Sequence, residues 1–238
     1  MLQVTPTGPW GKDVHPAMPV TRDELLAELR ECFSAGATGV HLHVRDHDGA
    51  ETLRPEVVNE TCGDVRRLGG EVEIGLTTGA WIVPDLVERI AMIREWEGVD
   101  CATVNLSEAG FEQVMAAMLD AGIGIDVGLW APAEMGALLG SGLLPYARRV
   151  SIELDPELTG EPIAIAREVN QALDDAGSAC PRLTHGSSEW TWPLVADAFQ
   201  RGHDTRVGFE DSVFLPDGTV AGSNADLVRA AVQLRKNG

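Results

Sequence analysis

Lysine is nearly absent from this sequence. Only Lys12 and Lys236 occur among the 238 residues, the first in a turn-rich segment and the second close to the end. An enzyme that forms a Schiff base with its substrate needs a lysine amine in the active site, and in a barrel this lysine lies on a strand. Neither lysine falls in a segment with strand character, so the sequence disfavours Schiff-base chemistry.

Positive charge is scarce as well. The chain carries 18 lysine and arginine residues against 37 aspartate and glutamate residues, which gives a formal net charge of −19. Such a charge repels nucleic acids and anionic membrane surfaces. We therefore expect no nucleic-acid partner and no membrane partner. An anionic ligand would have to be bound by a local group of arginines.

Disulfide and targeting signals are missing too. The four cysteines, Cys32, Cys62, Cys101 and Cys180, are widely spaced and form no Cys-x-x-Cys pair. That usage is typical of a reducing compartment. The first residues lack a basic region followed by an apolar core, and no apolar run approaches the length of a membrane span. These absences predict a cytoplasmic protein.

Short β-branched runs alternate with longer helical patterns along the whole chain. The pattern predicts eight strands, at 2–5, 41–46, 71–79, 101–106, 123–130, 149–154, 182–185 and 206–210. A helical segment follows each strand; the first has the capping-box spacing Thr21–Glu24 and ends at Gly36. Regular alternation implies a parallel sheet, and eight repeats predict an α/β protein with a (β/α)₈ TIM barrel, residues 1–238 forming a single domain.

Polar residues recur where the predicted strands end. They are His41, His43, Thr77, Thr78, Asn105, Asp126, Glu153, His185 and Glu210. A closed barrel would bring such residues together at one mouth, where ligands bind. This recurrence favours the barrel over the alternative, an open doubly wound sheet.

The segment 41–46 reads His-Leu-His-Val-Arg-Asp. In a strand, His41, His43 and Arg45 share one face. Two imidazoles at this spacing can bind one metal ion, and Arg45 would be placed to meet an anion beside it. An isolated His-x-His pair is more typical of a solvated strand face, so the metal interpretation needs a further ligand.

That ligand is available in the eighth strand, where residues 206–211 read Arg-Val-Gly-Phe-Glu-Asp. Arg206, Gly208 and Glu210 alternate onto one face, and Gly208 is expected to leave an open space between the guanidinium and the carboxylate. A barrel places strand 8 near strand 2, across strand 1. Two imidazoles and a carboxylate form a three-ligand set typical of catalytic Zn²⁺. An intrastrand salt bridge between Arg206 and Glu210 is the alternative.

Five segments taken together resemble one known family. They are 19–21 (Pro-Val-Thr), 35–37 (Ala-Gly-Ala), 41–46, 206–211 and 223–225 (Ser-Asn-Ala). In this order they are similar to the β-keto acid cleavage enzymes, and the similarity covers nearly the whole chain. The His-x-His pair is unspecific by itself, whereas its combination with Arg-x-Gly-x-Glu-Asp at the last strand is specific.

The resemblance implies a Zn²⁺-dependent TIM barrel with one zinc ion per chain, assembled as a homotetramer or homodimer. It also implies an acyltransferase that condenses a small-molecule β-keto acid with acetyl-CoA, or another acyl-CoA, and releases acetoacetate and a new CoA thioester. By the same resemblance, His41, His43 and Glu210 bind the metal. Asp211 is then the general base, and Arg206 pairs with it or with developing charge.

Substrate contacts are implied as well. The residues expected at the substrate are Trp10, Arg45, Thr77, Thr78, Thr103, Asn105 and Asp126, the last standing where the family has a glutamate. After strand 1 the family typically has Gly-Ala-Glu, and in one member this glutamate contacts the ammonium group of the substrate. This chain has Gly8-Pro9-Trp10 instead. Because a tryptophan cannot form an ion pair with an ammonium group, we expect a β-keto acid with an apolar or neutral tail.

Two other functions are compatible with the same residues. One is a metal-dependent hydrolase that activates a Zn-bound water, although hydrolase barrels of the amidohydrolase type generally carry His-x-His on the first strand. The other is a binding protein whose zinc site is structural. His185 has several possible roles: a fourth ligand, a general acid, a substrate contact or a structural residue.

Overall fold

The computed structural model describes residues 1–237, in which eight parallel strands alternate with eight α-helices. The strands are β1 (Leu2–Val4), β2 (Gly39–Leu42), β3 (Glu73–Thr77), β4 (Cys101–Asn105), β5 (Gly124–Leu129), β6 (Ala147–Leu154), β7 (Arg182–Gly186) and β8 (Thr205–Val207). The helices are α1 (Arg22–Ala35), α2 (Pro55–Gly69), α3 (Leu86–Ile93), α4 (Phe111–Ala121), α5 (Met135–Ser141), α6 (Pro162–Asp175), α7 (Thr191–Arg201) and α8 (Asn224–Asn237).

The strands form one sheet in sequence order from β1 to β7, and β8 pairs with the other edge of β1. β7 meets the start of β8 through backbone hydrogen bonds. The Thr184 amide donates to the Asp204 carbonyl at 2.9 Å, and the Asp204 amide donates to the Arg182 carbonyl at 2.9 Å. The sheet is therefore a nearly closed barrel. The predicted (β/α)₈ fold is confirmed, and the open doubly wound alternative is wrong.

The strands are buried on both faces because the helices cover the outside of the barrel. On β2 and β3, the outward-facing Val40, Leu42, Ile74 and Leu76 are each at most 2% exposed. The opposite face of each strand points to the barrel axis, which is where His41 and Thr77 lie. None of the helices in the described part of the chain is long and apolar enough to cross a membrane.

The first helix begins and ends where the sequence predicts. Thr21 is the N-cap of α1, its side chain accepting from the Glu24 amide while the Glu24 carboxylate accepts from the Thr21 amide. Gly36 follows the last turn with φ 117°, a left-handed conformation that glycine adopts without a steric cost. Local capping chemistry therefore fixes the length of this helix.

Among the strands that are shorter than predicted, β2 and β8 both end just before residues of interest. β2 ends at Leu42, after which the chain folds back on itself: the Asp46 amide donates to the Ala50 carbonyl and the Thr52 amide to the Val44 carbonyl. β8 ends at Val207. His43 and Glu210 therefore extend from loops at the barrel mouth and not from regular strand.

Gly208 has a different role from the one expected. A Cβ atom on Gly208 would lie 2.1 Å from the Thr5 carbonyl oxygen, so the space beside it is already filled by the chain that leaves β1. The Thr5 amide donates to the Val207 carbonyl at 3.0 Å, and the Glu210 amide donates to the Thr5 carbonyl at 3.2 Å. Glycine is required here because two backbones approach closely.

We predict that Gly208→Ala lowers the free energy of unfolding by about 3 kcal/mol, because the new methyl group overlaps a backbone carbonyl that cannot move freely. Urea denaturation followed by circular dichroism measures this change. Gly140→Ala is the matched control: Gly140 lies in α5 with no heavy atom within 4 Å of its would-be Cβ. The control should keep or slightly raise stability. Equal stability of the two variants would contradict the close approach.

Candidate active site

A pocket of about 490 Å³ opens at the carboxyl ends of the strands. This is the end of a β/α barrel where loops and strand ends from all around the sheet can contribute side chains to one ligand. The lining draws on β2, β3, β4, β6, β7 and β8 and on the loops after β1, β5 and β8. Of the predicted site residues, His41, His43, Thr77, Thr103, Asn105, Trp10, Arg206, Glu210 and Asp211 all line it.

His41, His43 and Glu210 come together at one side of this pocket. One ligand atom from each lies within 4.8 Å of the other two, and His43 Nε2 is 3.7 Å from Glu210 Oε1. Both histidines are buried. Burial, with a contribution from nearby Arg206, lowers the pKa of His41 well below its usual range, so His41 is neutral at pH 7 and its lone pair is available to a metal.

The bonding of Glu210 fits a cation at this cluster. Its Oε1 accepts from Arg206 Nη2 at 2.9 Å, whereas its buried Oε2 has no hydrogen-bond partner within residues 1–237. A buried carboxylate oxygen left unpaired is costly, and a bound cation would remove that cost. Two imidazoles and one carboxylate match the preferences of Zn²⁺ and leave a position open for a substrate.

Glu51 orients one of the candidate ligands, and sequence reasoning missed it. Its Oε1 lies 2.5 Å from His43 Nδ1, which leaves His43 Nε2 to face Glu210. Glu51 Oε2 accepts from Trp81 Nε1 at 3.1 Å, and the Trp81 ring stacks on His43. The sequence does contain a pattern from which Glu51 could be predicted, the turn-forming residues His47-Asp48-Gly49. A turn at these residues brings residue 51 close to residue 43.

Arg206 connects the candidate metal ligand to the candidate base. Its Nη2 donates to Glu210 Oε1 at 2.9 Å and to Asp211 Oδ1 at 2.8 Å. Asp211 Oδ2 also accepts from Thr5 Oγ1 at 3.0 Å. Burial would raise the pKa of Asp211, but Arg206 and His185 outweigh it and hold that pKa below its usual range. Burial raises the pKa of Glu210 despite Arg206.

His185 lies deeper in the same network. Its Nδ1 accepts from Arg206 Nε at 3.1 Å and lies 3.4 Å from Asp211 Oδ1, while its Nε2 is 3.7 Å from Glu153 Oε2. Burial and Arg206 would lower the pKa of His185, but Asp211 and Glu153 outweigh them and raise it. His185 is not part of the compact group of candidate metal ligands. Its Nε2 and Glu153 Oε1 are buried without hydrogen-bond partners in the described chain.

A second network of hydrogen bonds stabilises the wall of the pocket formed after β4 and β5. Asn105 Nδ2 donates to Glu108 Oε1 at 3.0 Å, and Trp130 Nε1 donates to Asn105 Oδ1 at 3.1 Å. The fully buried Arg89 on α3 donates to Glu108 Oε2 at 3.1 Å. Glu108 was not predicted, and nothing local in the sequence distinguishes it from a surface glutamate. Trp10, Trp81 and Trp130, each about half exposed, border the mouth.

Arg45 is not placed to bind an anion in the pocket. Its guanidinium donates to the carbonyls of Gly8, Trp10 and Gly49 at 3.1, 2.7 and 2.8 Å. The predicted substrate contact is therefore corrected: Arg45 connects the loop after β1 to the turn after β2 through hydrogen bonds. The expectation relied on regular strand alternation through residue 45, and β2 ends at Leu42.

Thr78 and Asp126 also lie away from the pocket lining. Thr78 is buried and donates its hydroxyl proton to the Thr103 carbonyl at 2.7 Å. Asp126 accepts from Arg149 Nε at 2.8 Å and from Ser151 Oγ at 2.6 Å, in a buried ion pair that Arg149 extends to Glu73 at the start of β3. Both expected substrate contacts are corrected, because backbone and arginine partners already satisfy these side chains.

Fold and site together define a β/α-barrel protein with a candidate metal site beside a candidate carboxylate base. Comparison with known sequences gives the family: the profile of the β-keto acid cleavage enzymes matches residues 1–237, and the chain belongs to that family. It is 28% identical to the 3-keto-5-aminohexanoate cleavage enzyme of Fusobacterium nucleatum, over 94% of this chain and 86% of that protein. It is also 26% identical to the 3-dehydrocarnitine:acetyl-CoA trimethylamine transferase of Rhizobium meliloti, over 91% of this chain and 83% of that protein.

Solved structures agree on the fold. A ternary complex of ObcA with a C4-CoA adduct and oxalate superposes with a TM-score of 0.71 at 15% identity, covering 92% of this chain. The chain spans 63% of that longer chain. The 3-dehydroquinate dehydratase from Aquifex aeolicus superposes with a TM-score of 0.59 at 13% identity, over 100% of this chain and 98% of that one. At these identities the likeness concerns the barrel alone.

We predict that Glu51→Gln weakens zinc binding by about 10- to 100-fold, because His43 loses the carboxylate that fixes its ring and raises its basicity. Competition with a chromophoric zinc chelator at constant pH measures the affinity. Glu56→Gln, on the exposed start of α2, changes the charge equally and should bind zinc as the wild type does. If Glu51→Gln bound zinc as tightly as the wild type, Glu51 would have no part in orienting His43.

Proposed function

We propose that this protein is a zinc-dependent acyltransferase that condenses a β-keto acid with acetyl-CoA, or another acyl-CoA, and releases acetoacetate and a new CoA thioester. The observation that carries the proposal is the convergence of His41, His43 and Glu210 with the Arg206–Asp211 pair in one pocket. Family membership and the names of the relatives, which include a keto-acid cleavage enzyme and an acetyl-CoA-dependent transferase, support the same reaction class.

His41, His43 and Glu210 would hold one zinc ion. When bound, zinc supplies a Lewis acid that polarises the carboxylate and 3-keto oxygens of a β-keto acid. His41, His43, Arg206 and Asp211 are all buried, so little of the surface of these four side chains is exposed to bulk water. Thr77, Thr103 and Asn105 line the pocket and offer hydroxyl and amide groups to the substrate.

Asp211 is the proposed base. Its lowered pKa keeps the carboxylate ionised at neutral pH, and Arg206 and Thr5 hold it in one orientation. Removal of the C2 proton by Asp211 produces a carbanion that attacks the thioester carbonyl of acetyl-CoA and displaces the CoA thiolate. The thiolate then attacks the original 3-keto carbon, the C2–C3 bond breaks, and Asp211 returns its proton to C2 of acetoacetate.

The pocket suits a small substrate with a largely neutral tail. Its volume is within the range of small-molecule sites. Trp10, Trp81 and Trp130 give the mouth a mainly apolar border, and the indole N–H of Trp10 is already bound to the Glu210 carbonyl.

We also propose a homo-oligomer, supported by exposed apolar side chains on the outside of the barrel, such as Val87 and Tyr146. Light scattering of the purified protein tests its mass.

We predict that the zinc-loaded protein forms acetoacetate from acetyl-CoA and at least one member of a panel of straight-chain β-keto acids, with a matching new CoA thioester. Mass spectrometry of both products measures the reaction. Omission of acetyl-CoA and removal of zinc with a chelator are the controls, and each should abolish acetoacetate formation. No product from any candidate with zinc confirmed in the protein would exclude the proposed reaction.

We predict that Asp211→Asn retains zinc but loses at least about 100-fold in kcat, because the amide cannot accept the C2 proton. His43→Ala should lose zinc and turnover together. Metal analysis and steady-state kinetics on the same preparations separate the two effects. Turnover near the wild-type rate in Asp211→Asn would rule Asp211 out as the base, and stoichiometric zinc in His43→Ala would disprove the ligand set.

A further inference from the structure

Two buried polar atoms that the proposed reaction does not use line the β6–β7 side of the pocket. They are Glu153 Oε1, at the end of β6, and His185 Nε2, at the end of β7, and neither has a hydrogen-bond partner among residues 1–237. Both residues are more than nine-tenths buried, at 8% and 3% exposed. Leaving such atoms unpaired is costly, so their presence in a ligand pocket indicates a polar ligand group.

One of the two atoms is a donor and the other is an acceptor. Arg206 Nε lies 3.1 Å from His185 Nδ1 and donates to it when the ring is neutral, which puts the ring proton on Nε2; in the protonated ring Nε2 is a donor as well. Glu153 can only accept at Oε1, because its neighbours Arg206 and His185 favour the ionised carboxylate against the effect of burial. The separation of 3.7 Å between His185 Nε2 and Glu153 Oε2 is too long for a direct hydrogen bond.

Gly128 on β5 lies next to Glu153 Oε1 and Asn105 Oδ1. A Cβ on Gly128 would lie 3.2 Å from Glu153 Oε1 and 2.5 Å from Asn105 Oδ1, so these two oxygens occupy the space beside the glycine. Both Glu153 and Asn105 line the pocket, and a ligand group would meet Glu153 Oε1 from the pocket side. The Asn105 oxygen is held in this direction because its amide nitrogen is bound to Glu108.

The site lies across the network from the candidate metal ligands. From Glu210, the contacts pass through Arg206 and His185 to Glu153. A substrate whose keto acid end is held at His41, His43 and Glu210, and whose tail crosses the pocket, meets this wall. The charge of Glu153 is already opposed by the guanidinium of Arg206. Glu153 therefore lacks a hydrogen bond and not a counter-ion.

We propose that His185 and Glu153 form a subsite for a hydroxyl group on the tail of the β-keto acid, the hydroxyl accepting from His185 Nε2 and donating to Glu153 Oε1. This inference rests on the proposed function and extends it to the substrate class. A hydroxyl both donates and accepts, as the pair requires. A methyl group does neither, and an ammonium group cannot accept from His185.

The test compares β-keto acids of one chain length with the zinc-loaded protein and acetyl-CoA. The set contains 3-oxohexanoate, its 5-hydroxy and 6-hydroxy derivatives and its 5-amino derivative, with 3-oxopentanoate as a shorter acid. We expect one of the hydroxy acids to exceed 3-oxohexanoate by about 10- to 100-fold in kcat/KM, because a hydrogen bond to a buried charged group is lost without the hydroxyl. Calorimetric titration of the same acids without acetyl-CoA measures binding separately.

Glu153→Gln tests the subsite in the protein, because it removes the charged acceptor. In this variant we expect the preference, measured as the ratio of kcat/KM for the hydroxy acid to kcat/KM for 3-oxohexanoate, to fall to about threefold or less. Glu168→Gln, an equal charge change on the exposed face of α6, should keep the full preference. Zinc content and the thermal midpoint verify that each variant is folded.

The outcomes separate the inference from the function on which it rests. Absence of turnover for every acid, including 3-oxopentanoate, would overturn the proposed function. Turnover of 3-oxopentanoate with equal kcat/KM for 3-oxohexanoate and both hydroxy acids would overturn the subsite alone. A preference for the 5-amino derivative of 3-oxohexanoate would also overturn the subsite. The same holds for a preference for the hydroxy acid that survives in Glu153→Gln.

Discussion

The active-site half of this barrel depends on one buried guanidinium, that of Arg206. It donates to Glu210 and Asp211 through one nitrogen and to His185 through another. Burying an arginine is costly unless carboxylates and hydrogen bonds compensate it, and removing one partner of such a group is strongly destabilising. A single side chain therefore fixes the relative positions of three residues: the candidate metal ligand, the candidate base and the histidine of the proposed tail subsite.

The short strand β1 determines where that guanidinium lies relative to the histidines. Val4 pairs with Val40 on β2 and with Val207 on β8, so these two residues lie at the same level on either side of β1; β8 ends there, and β2 continues to Leu42. The close contact between Gly208 and the Thr5 carbonyl then turns the chain over the mouth of the barrel. Residues more than 160 positions apart in the chain thereby share one pocket.

Features that depend on local sequence were predicted well. The helix from Thr21 to Gly36 follows from its capping residues, and the order of eight strands and eight helices follows from alternating burial patterns. The assignments that needed correction concern polar residues whose partners lie far away. Arg45 binds backbone carbonyls of another loop, and Asp126 pairs with Arg149, so neither faces the pocket. Glu51 and Glu108 were missed for the same reason.

The sequence by itself determined the barrel, because hydrophobic periodicity specifies which face of each strand and helix is buried. It also supplied the residue types at the strand ends, with two imidazoles in one segment and an arginine and two carboxylates in another. Only the tertiary structure decided which polar atoms are already satisfied and which remain open to a ligand. Hydrogen-bond partners depend on distances of a few tenths of an ångström between elements remote in the chain, and no local pattern encodes them.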